Sequence, residues 1–349
     1  MPAMTRLLRV ATTMLVAGTI CVAVAPSAVA DKTPPRGGSV GNGPGANASG
    51  GLDGQNLTAT AGAVVYDRSK NGSGQGAGPV AAVTSWTPPA CWYAPTYTPE
   101  QLQKVKEPVW AAESTGYEWD AEQRKTFLNP DDHSKDFNKD KTGKGYWWGS
   151  YVNKSYPPGW DACKRDYFWV DTGAAPPADI ENVITPAILA GLAYNEIRVP
   201  STKVTLAPAG PTKVNLPTWA WLDAAQFKPV SVTASVPVLG MRATTVAEPV
   251  SLRIEPGTPD AQVYPASGVC TFAGGHIGEP YATGKAGRTP PCGVKYLRSS
   301  GNGTYPLRAT ITWKIHWTGT RVNNPVNLPD GEFGGQQDVV VQEIQAVNR

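Results

Sequence analysis

The sequence predicts a mainly antiparallel β protein. It has a β-sandwich at the C-terminus, preceded by a small Trp-rich, disulfide-closed module of helices and loops and by a disordered N-terminal arm. The first observation is the run over residues 305–317. Tyr305, Leu307, Ala309, Ile311, Trp313, Ile315 and Trp317 are apolar, and Pro306, Arg308, Thr310, Thr312, Lys314 and His316 stand between them. Period-two alternation of that length is a strand with one buried and one wet face. The second is the punctuation beyond Val199, where alternating stretches at 231–236 and 250–254 are separated by turns such as Pro256-Gly257-Thr258-Pro259. About seven or eight short strands at that spacing make a sandwich over 199–349. The third is cysteine usage: Cys91, Cys163, Cys270 and Cys292 remain once a leader is removed.

That leader is residues 1–30. Arg6 and Arg9 precede an apolar stretch over 10–25 and the small-residue site Ala28-Val29-Ala30, so cleavage is expected before Asp31. The stretch falls short of the roughly 18–20 residues that span a bilayer. The expectation is a secreted or cell-wall-associated protein with no stable membrane insertion after cleavage. Arg6 and Arg9 supply two of the three net positive charges, which leaves the mature chain near +1. Its acids and bases are interspersed, as in Lys135-Asp136-Phe137-Asn138-Lys139-Asp140-Lys141. Such a balance excludes the basic patch that a nucleic acid or an anionic membrane needs. Residues 31–89 are rich in Gly, Ala, Ser, Pro and Asn. They bury too little surface to offset their ordering entropy and are expected to be a flexible arm.

Residues 90–198 change character. Eight of the 12 Trp lie between Trp86 and Trp169. Thr98-Pro99-Glu100-Gln101 is a capping box with Pro at the first helical position, and predicts a helix to about Ser114. The Gly- and Pro-rich stretches at 144–149 and 156–160 predict loops. Asp179 is placed to cap a second helix reaching about Glu196, with Pro186 either kinking it or marking its first turn. An even cysteine count in an exported chain reads as two disulfides with three possible pairings. Spacing favours Cys91–Cys163 and Cys270–Cys292, one in each half. Zinc is disfavoured, because no pair has C-x-x-C spacing and His133, His276 and His316 are scattered.

Several motifs in fixed order carry a resemblance. Leu216-Pro217-Thr218-Trp219-Ala220-Trp221-Leu222-Asp223 is followed by Pro229-Val230-Ser231-Val232-Thr233-Ala234, then by Cys270, Pro291-Cys292-Gly293-Val294-Lys295-Tyr296 and Ser299-Ser300, and finally by Tyr305 and Ala309-Thr310-Ile311-Thr312-Trp313. Over about 216–349 this order resembles a group of exported actinobacterial proteins of unknown function with a C-terminal domain similar to PKD-type Ig-like modules. The resemblance implies an Ig-like, PKD-type sandwich and supplies no catalytic residues. Where such modules carry a Trp-x-x-Gly-Asp-Gly turn, this chain has Leu252-Arg253-Ile254-Glu255-Pro256-Gly257.

Candidate chemistry is sparse. Residues 278–286 are one residue too long for a P-loop, and Ala286 stands where Ser or Thr would bind Mg²⁺, so no nucleotide is expected. Asp136, Asn138 and Asp140 have calcium-loop spacing, but Lys141 and Trp147 replace the Gly and Glu of such a loop. The expectation is a solvated loop and no cofactor, with calcium the alternative. Glu113, Glu118, Asp120 and Glu122 lie near Trp110, Tyr117 and Trp119, as the acids of a glycosidase lie near aromatic platforms. Helix-surface acids give the same pattern. Trp147, Trp148, Tyr151, Tyr156 and Trp160 are core if buried, and a ligand-binding platform if exposed. The function expected is non-catalytic binding of an envelope protein or a cell-wall glycan. A glycan-directed hydrolase using the module's carboxylates is the alternative.

Overall fold

In a computed structural model of the chain, residues 50–53, 56–59, 64–112, 116–128, 136–222 and 227–344 are described. They fall within one compact unit. The predicted leader lies outside the described residues. Stretches 90–198 and 199–349, read above as two modules, share one hydrophobic core.

In chain order the main elements begin with strands β1 (Val65–Asp67), β2 (Ala81–Ala82) and β3 (Cys91–Tyr97). Helices α1 (Pro99–Ala111) and α2 (Tyr117–Leu128) precede strands β4 (Gly145–Val152) and β5 (Phe168–Asp171) and helix α3 (Pro186–Glu196). Then come β6 (Thr205–Ala207), β7 (Pro217–Trp221), β8 (Val230–Val236), β9 (Met241–Glu255) and β10 (Ala261–Tyr264). The last are β11 (Val269–Ala273), β12 (His276–Ile277), β13 (Gly293–Tyr296), β14 (Tyr305–Gly319) and β15 (Val322–Val339).

The 8-stranded sheet runs β12-β11-β9-β14-β15-β2, with β8 between β9 and β1. Its centre is the alternating run. Leu307, Ala309, Ile311, Trp313 and Ile315 are 0–1 % exposed, and Lys314 between the last two is exposed. One edge of β9 is shared: residues 241–247 pair with β8 and 251–253 with β11, and the register shifts at Pro249 and Ser251. Proline has no N–H for a ladder, so a bulge is where a long strand accommodates one. A second, 4-stranded sheet runs β6-β7-β13-β10. The Cys270–Cys292 disulfide joins β11 of the first sheet to the residue preceding β13 of the second. Tyr296 and Tyr305 stack between the sheets at 5.3 Å.

A third sheet, β3-β4-β5, carries the aromatic region. Here two expectations change. Residues 145–149 form the middle strand rather than a loop, because both faces of β4 are covered and its ladder bonds run to strands on either side. Helix α2 was not anticipated. Helix α1 has the expected capping box, with Thr98 and Gln101 bonded reciprocally. Helix α3 begins at Pro186 with Thr185 as its cap, while Asp179 pairs with Arg165 at 2.6 Å. Disulfide Cys91–Cys163 ties β3 to the loop before β5.

Residues 64–89 correct the flexible-arm expectation. Strand β1 adds to β8 and β2 adds to β15, at opposite sides of the large sheet. Trp86 packs on Tyr194 of α3 at 4.4 Å. Strands of two or three residues leave no periodic signal, and their stability comes from the sheet they join. On its inner side α3 lies against the large sheet, where the Thr245 hydroxyl donates to the Ala190 carbonyl at 2.9 Å.

Candidate functional site: two open troughs

Three of the five candidate platform aromatics are core. Trp147, Trp148 and Tyr151 are 3 %, 5 % and 1 % exposed, while Tyr156 and Trp160 are half-buried. Trp147 belongs to a second core with Leu102, Trp110, Phe127, Phe137 and Tyr167. Its indole N–H donates to the Phe137 carbonyl at 2.8 Å, and Phe127 meets it edge-on at 5.2 Å. A thin three-stranded sheet under two short helices needs large rings to fill its interior. No flat platform is left on 147–151.

The calcium-spaced triplet diverges. Asp136, Phe137 and Asn138 have φ of 48°, 59° and 62°, the left-handed region. That turn drives Phe137 into the second core and buries Asn138, 2 % exposed, while Asp136 and Asp140 face outward. Asp136 pairs with Lys139 at 3.0 Å. Among the described residues no group of three or more His, Cys, Asp or Glu comes together.

The acids of α2 also part. Glu118 and Glu122 are exposed, one turn apart, while Asp120 is 3 % exposed on the opposite face. Glu113 and His133 lie outside the described residues. Asp120 belongs to a buried polar network instead. Lys106, 4 % exposed, donates to Gln123 Oε1 at 2.5 Å, and the Gln123 amide donates to the Asp166 carboxylate. The Lys106 ammonium also lies 3.9 Å from Asp166 and 5.2 Å from the rings of Phe127 and Tyr167. Burial lowers the lysine below its ordinary 10.5, opposed by Asp166 and Asp120, and burial raises the Tyr167 phenol. The network ties α1 to α2 and to the start of β5. Of the remaining candidates, Lys285 is engaged by Glu279 and the Pro280 carbonyl. His276 contacts the Gly274 carbonyl at 3.1 Å.

Among the described residues, two surface troughs stand open on the β-framework. The larger, about 760 Å³, lies between residues 203–206 and 209–211 on one side and 337–340 on the other. Strand β6 is the edge of its sheet there. The second, about 620 Å³, is lined by residues 70–75, 200–201 and 228–230. Its loop is pinned at its base. Ser231 N–H donates to the Lys70 carbonyl at 2.9 Å and Gly72 N–H to the Arg198 carbonyl at 2.8 Å. The Asn71 side chain donates to the Glu196 carbonyl at 2.7 Å and accepts from Arg198 N–H at 2.8 Å. A Cβ on Gly72 would lie 2.2 Å from the Arg198 oxygen, so only glycine lets the two backbones approach.

Sequence reasoning did not find Lys70 and Lys228 as a pair. Lys70-Asn71-Gly72-Ser73-Gly74 reads as a turn, and only the β1–β8 pairing brings it beside residue 228. No protein-family model, curated protein or solved structure matches this chain.

Proposed function

We propose that this is an exported protein, built on a PKD-type Ig-like sandwich, that binds a protein or glycan partner at or near the cell envelope without transforming it. The observation that carries the reading is the pair of open troughs on a disulfide-stapled β-framework. Binding sites are concave and set on rigid elements. The described acids of the glycosidase-like pattern part from one another: Asp120 is buried in the network around Lys106, while Glu118 and Glu122 are exposed on the opposite face. The leader-like residues 1–30 support export, and two disulfides fit an oxidising compartment.

The test is a pull-down with the oxidised chain against cell-wall fractions and solubilised envelope proteins of an exporting cell, with N-terminal sequencing of the exported product. The reading expects a product beginning at Asp31 and saturable capture of one component. A product retained in the cytosol, or no saturable capture from either fraction, contradicts it.

A further inference from the structure

We propose that the trough between residues 70–75, 200–201 and 228–230 binds an acidic glycan, with Lys70 and Lys228 meeting its anionic groups. This rests on the binding reading above and names the ligand class of one of its two troughs.

The lining is one-sided in charge. Lys70 and Lys228 are both exposed, and among the described residues no carboxylate lines the trough, in a chain whose acids and bases are otherwise interspersed. Among the described residues neither lysine is in an ion pair. Of the neighbouring acids, Asp67 accepts from Ser69 N–H at 2.9 Å without forming an ion pair, and Arg68 holds Glu196 at 2.9 Å. Ser69 and, less strongly, the Lys70 charge hold the Asp67 carboxyl below its ordinary range, and the two lysines outnumber that one exposed carboxylate, which leaves a concave surface that attracts anions.

The rest of the lining favours a sugar over a peptide. An extended peptide binds by adding to a free strand edge. The strand beginning at the trough wall, β8, pairs with β9 along its length, and on its other side Ser231 N–H is taken by the Lys70 carbonyl before β1 pairs with residues 233–235. Ser73, Gln75 and Ser201 carry hydroxyl and amide groups that both donate and accept, as sugar hydroxyls require. Pro200 and Pro229 add apolar rings against which the C–H face of a sugar can pack. The loop adds main-chain groups, since the N–H groups of the lining residues 73–75 have no acceptor among the described residues, and Gly74 and Gly76 take positive φ there. The anionic group can be a uronate or a phosphate ester; the shared requirement is a negative charge on a polyhydroxylated chain.

The experiment titrates the oxidised full chain and its Lys70→Gln/Lys228→Gln double variant by calorimetry. The probes are polygalacturonate, a poly(glycerol phosphate), neutral dextran and poly-Glu. Both substituted side chains are exposed, so circular dichroism should show an unchanged fold. The expected result is saturable binding to one or both acidic glycans, weakening with salt. The double variant should bind about tenfold more weakly or worse, as expected for losing two charge-assisted contacts. The uronate and phosphate arms tell the two anions apart. Equal binding by the variant, binding of dextran alone, or poly-Glu binding as tight as the glycans overturns the proposal. Wall-fraction capture that survives in the double variant overturns this assignment and leaves the wider binding reading standing. Failure of the unsubstituted chain to be captured at all strikes that reading instead.

Discussion

Replacing Trp313 by alanine probes the middle of the largest sheet. The indole is fully buried on β14, opposite Pro249 of β9 and Gly331 of β15. Truncating a buried Trp to Ala costs about 3–5 kcal/mol through lost transfer energy and residual cavity. One feature of this site moderates the figure: the Trp313 indole nitrogen is buried with no hydrogen-bond partner among the described residues. Removing an unsatisfied donor recovers on the order of 1 kcal/mol, so Trp313→Ala is expected near the lower half of the range. Trp313→Phe loses less volume and the same orphan N–H, and should stay within about 1 kcal/mol of the parent. Lys314, one residue on, faces water opposite Glu248. Such an exposed cross-strand pair contributes little, and Lys314→Ala should cost about 0.5 kcal/mol or less. Urea unfolding of the oxidised full chain, followed by Trp fluorescence and far-UV circular dichroism, gives the differences directly. A one-residue slip would exchange the two environments. Equal losses for Trp313→Ala and Lys314→Ala, or a larger loss for the lysine, would refute the register.

Non-reducing peptide mapping should recover Cys91 with Cys163 and Cys270 with Cys292, and any crossed peptide contradicts the fold. Their sequence separations of 72 and 22 correspond to roughly 4 and 3 kcal/mol of loop-closure stabilisation, so Cys91→Ser/Cys163→Ser should lower stability more than Cys270→Ser/Cys292→Ser. Thr98→Ala removes half of a capping box and should cost about 1 kcal/mol in urea melts, with Thr98→Ser largely silent. Lys106 titrates below its ordinary 10.5 in the folded state because it is buried, so between the two values the unfolded chain binds more protons. Stability should therefore climb as pH rises through that window toward 10.5, and Lys106→Met should flatten the climb. An unchanged slope in the variant would mean that the lysine is not buried.

Local signals carried the parts of this fold that depend on local chemistry. The alternation of 305–317, the Thr98–Gln101 capping box and the cysteine pairs all act through near neighbours or simple spacing, and each is present. Helix α2 was missed because it lacks an apolar stripe. It turns Asp120 and Gln123 inward beside Phe127, and its packing is satisfied by Lys106 from another helix. Strand β4 was missed because Gly145 and Gly149 read as loop residues. There they admit neighbouring rings, and a Cβ on Gly149 would lie 2.4 Å from Tyr167. Residues 64–89 could not be placed from composition, since their order comes from sheet edges more than 100 residues away. The lysine trough was hidden for the same reason. Lys70 and Lys228 are unremarkable singly, and only the β1–β8 pairing makes them neighbours.

The proposed function is that the chain binds envelope material and leaves it intact. Its most direct test is a time course of the oxidised chain with purified, insoluble wall material, measuring the bound fraction and the soluble reducing ends together. Saturable retention of the protein in the pellet is expected, while reducing ends stay at the protein-free level throughout. Reducing ends that accumulate in proportion to protein concentration, and that stop when Glu118 and Glu122 are replaced by Gln, would contradict it and establish a hydrolase.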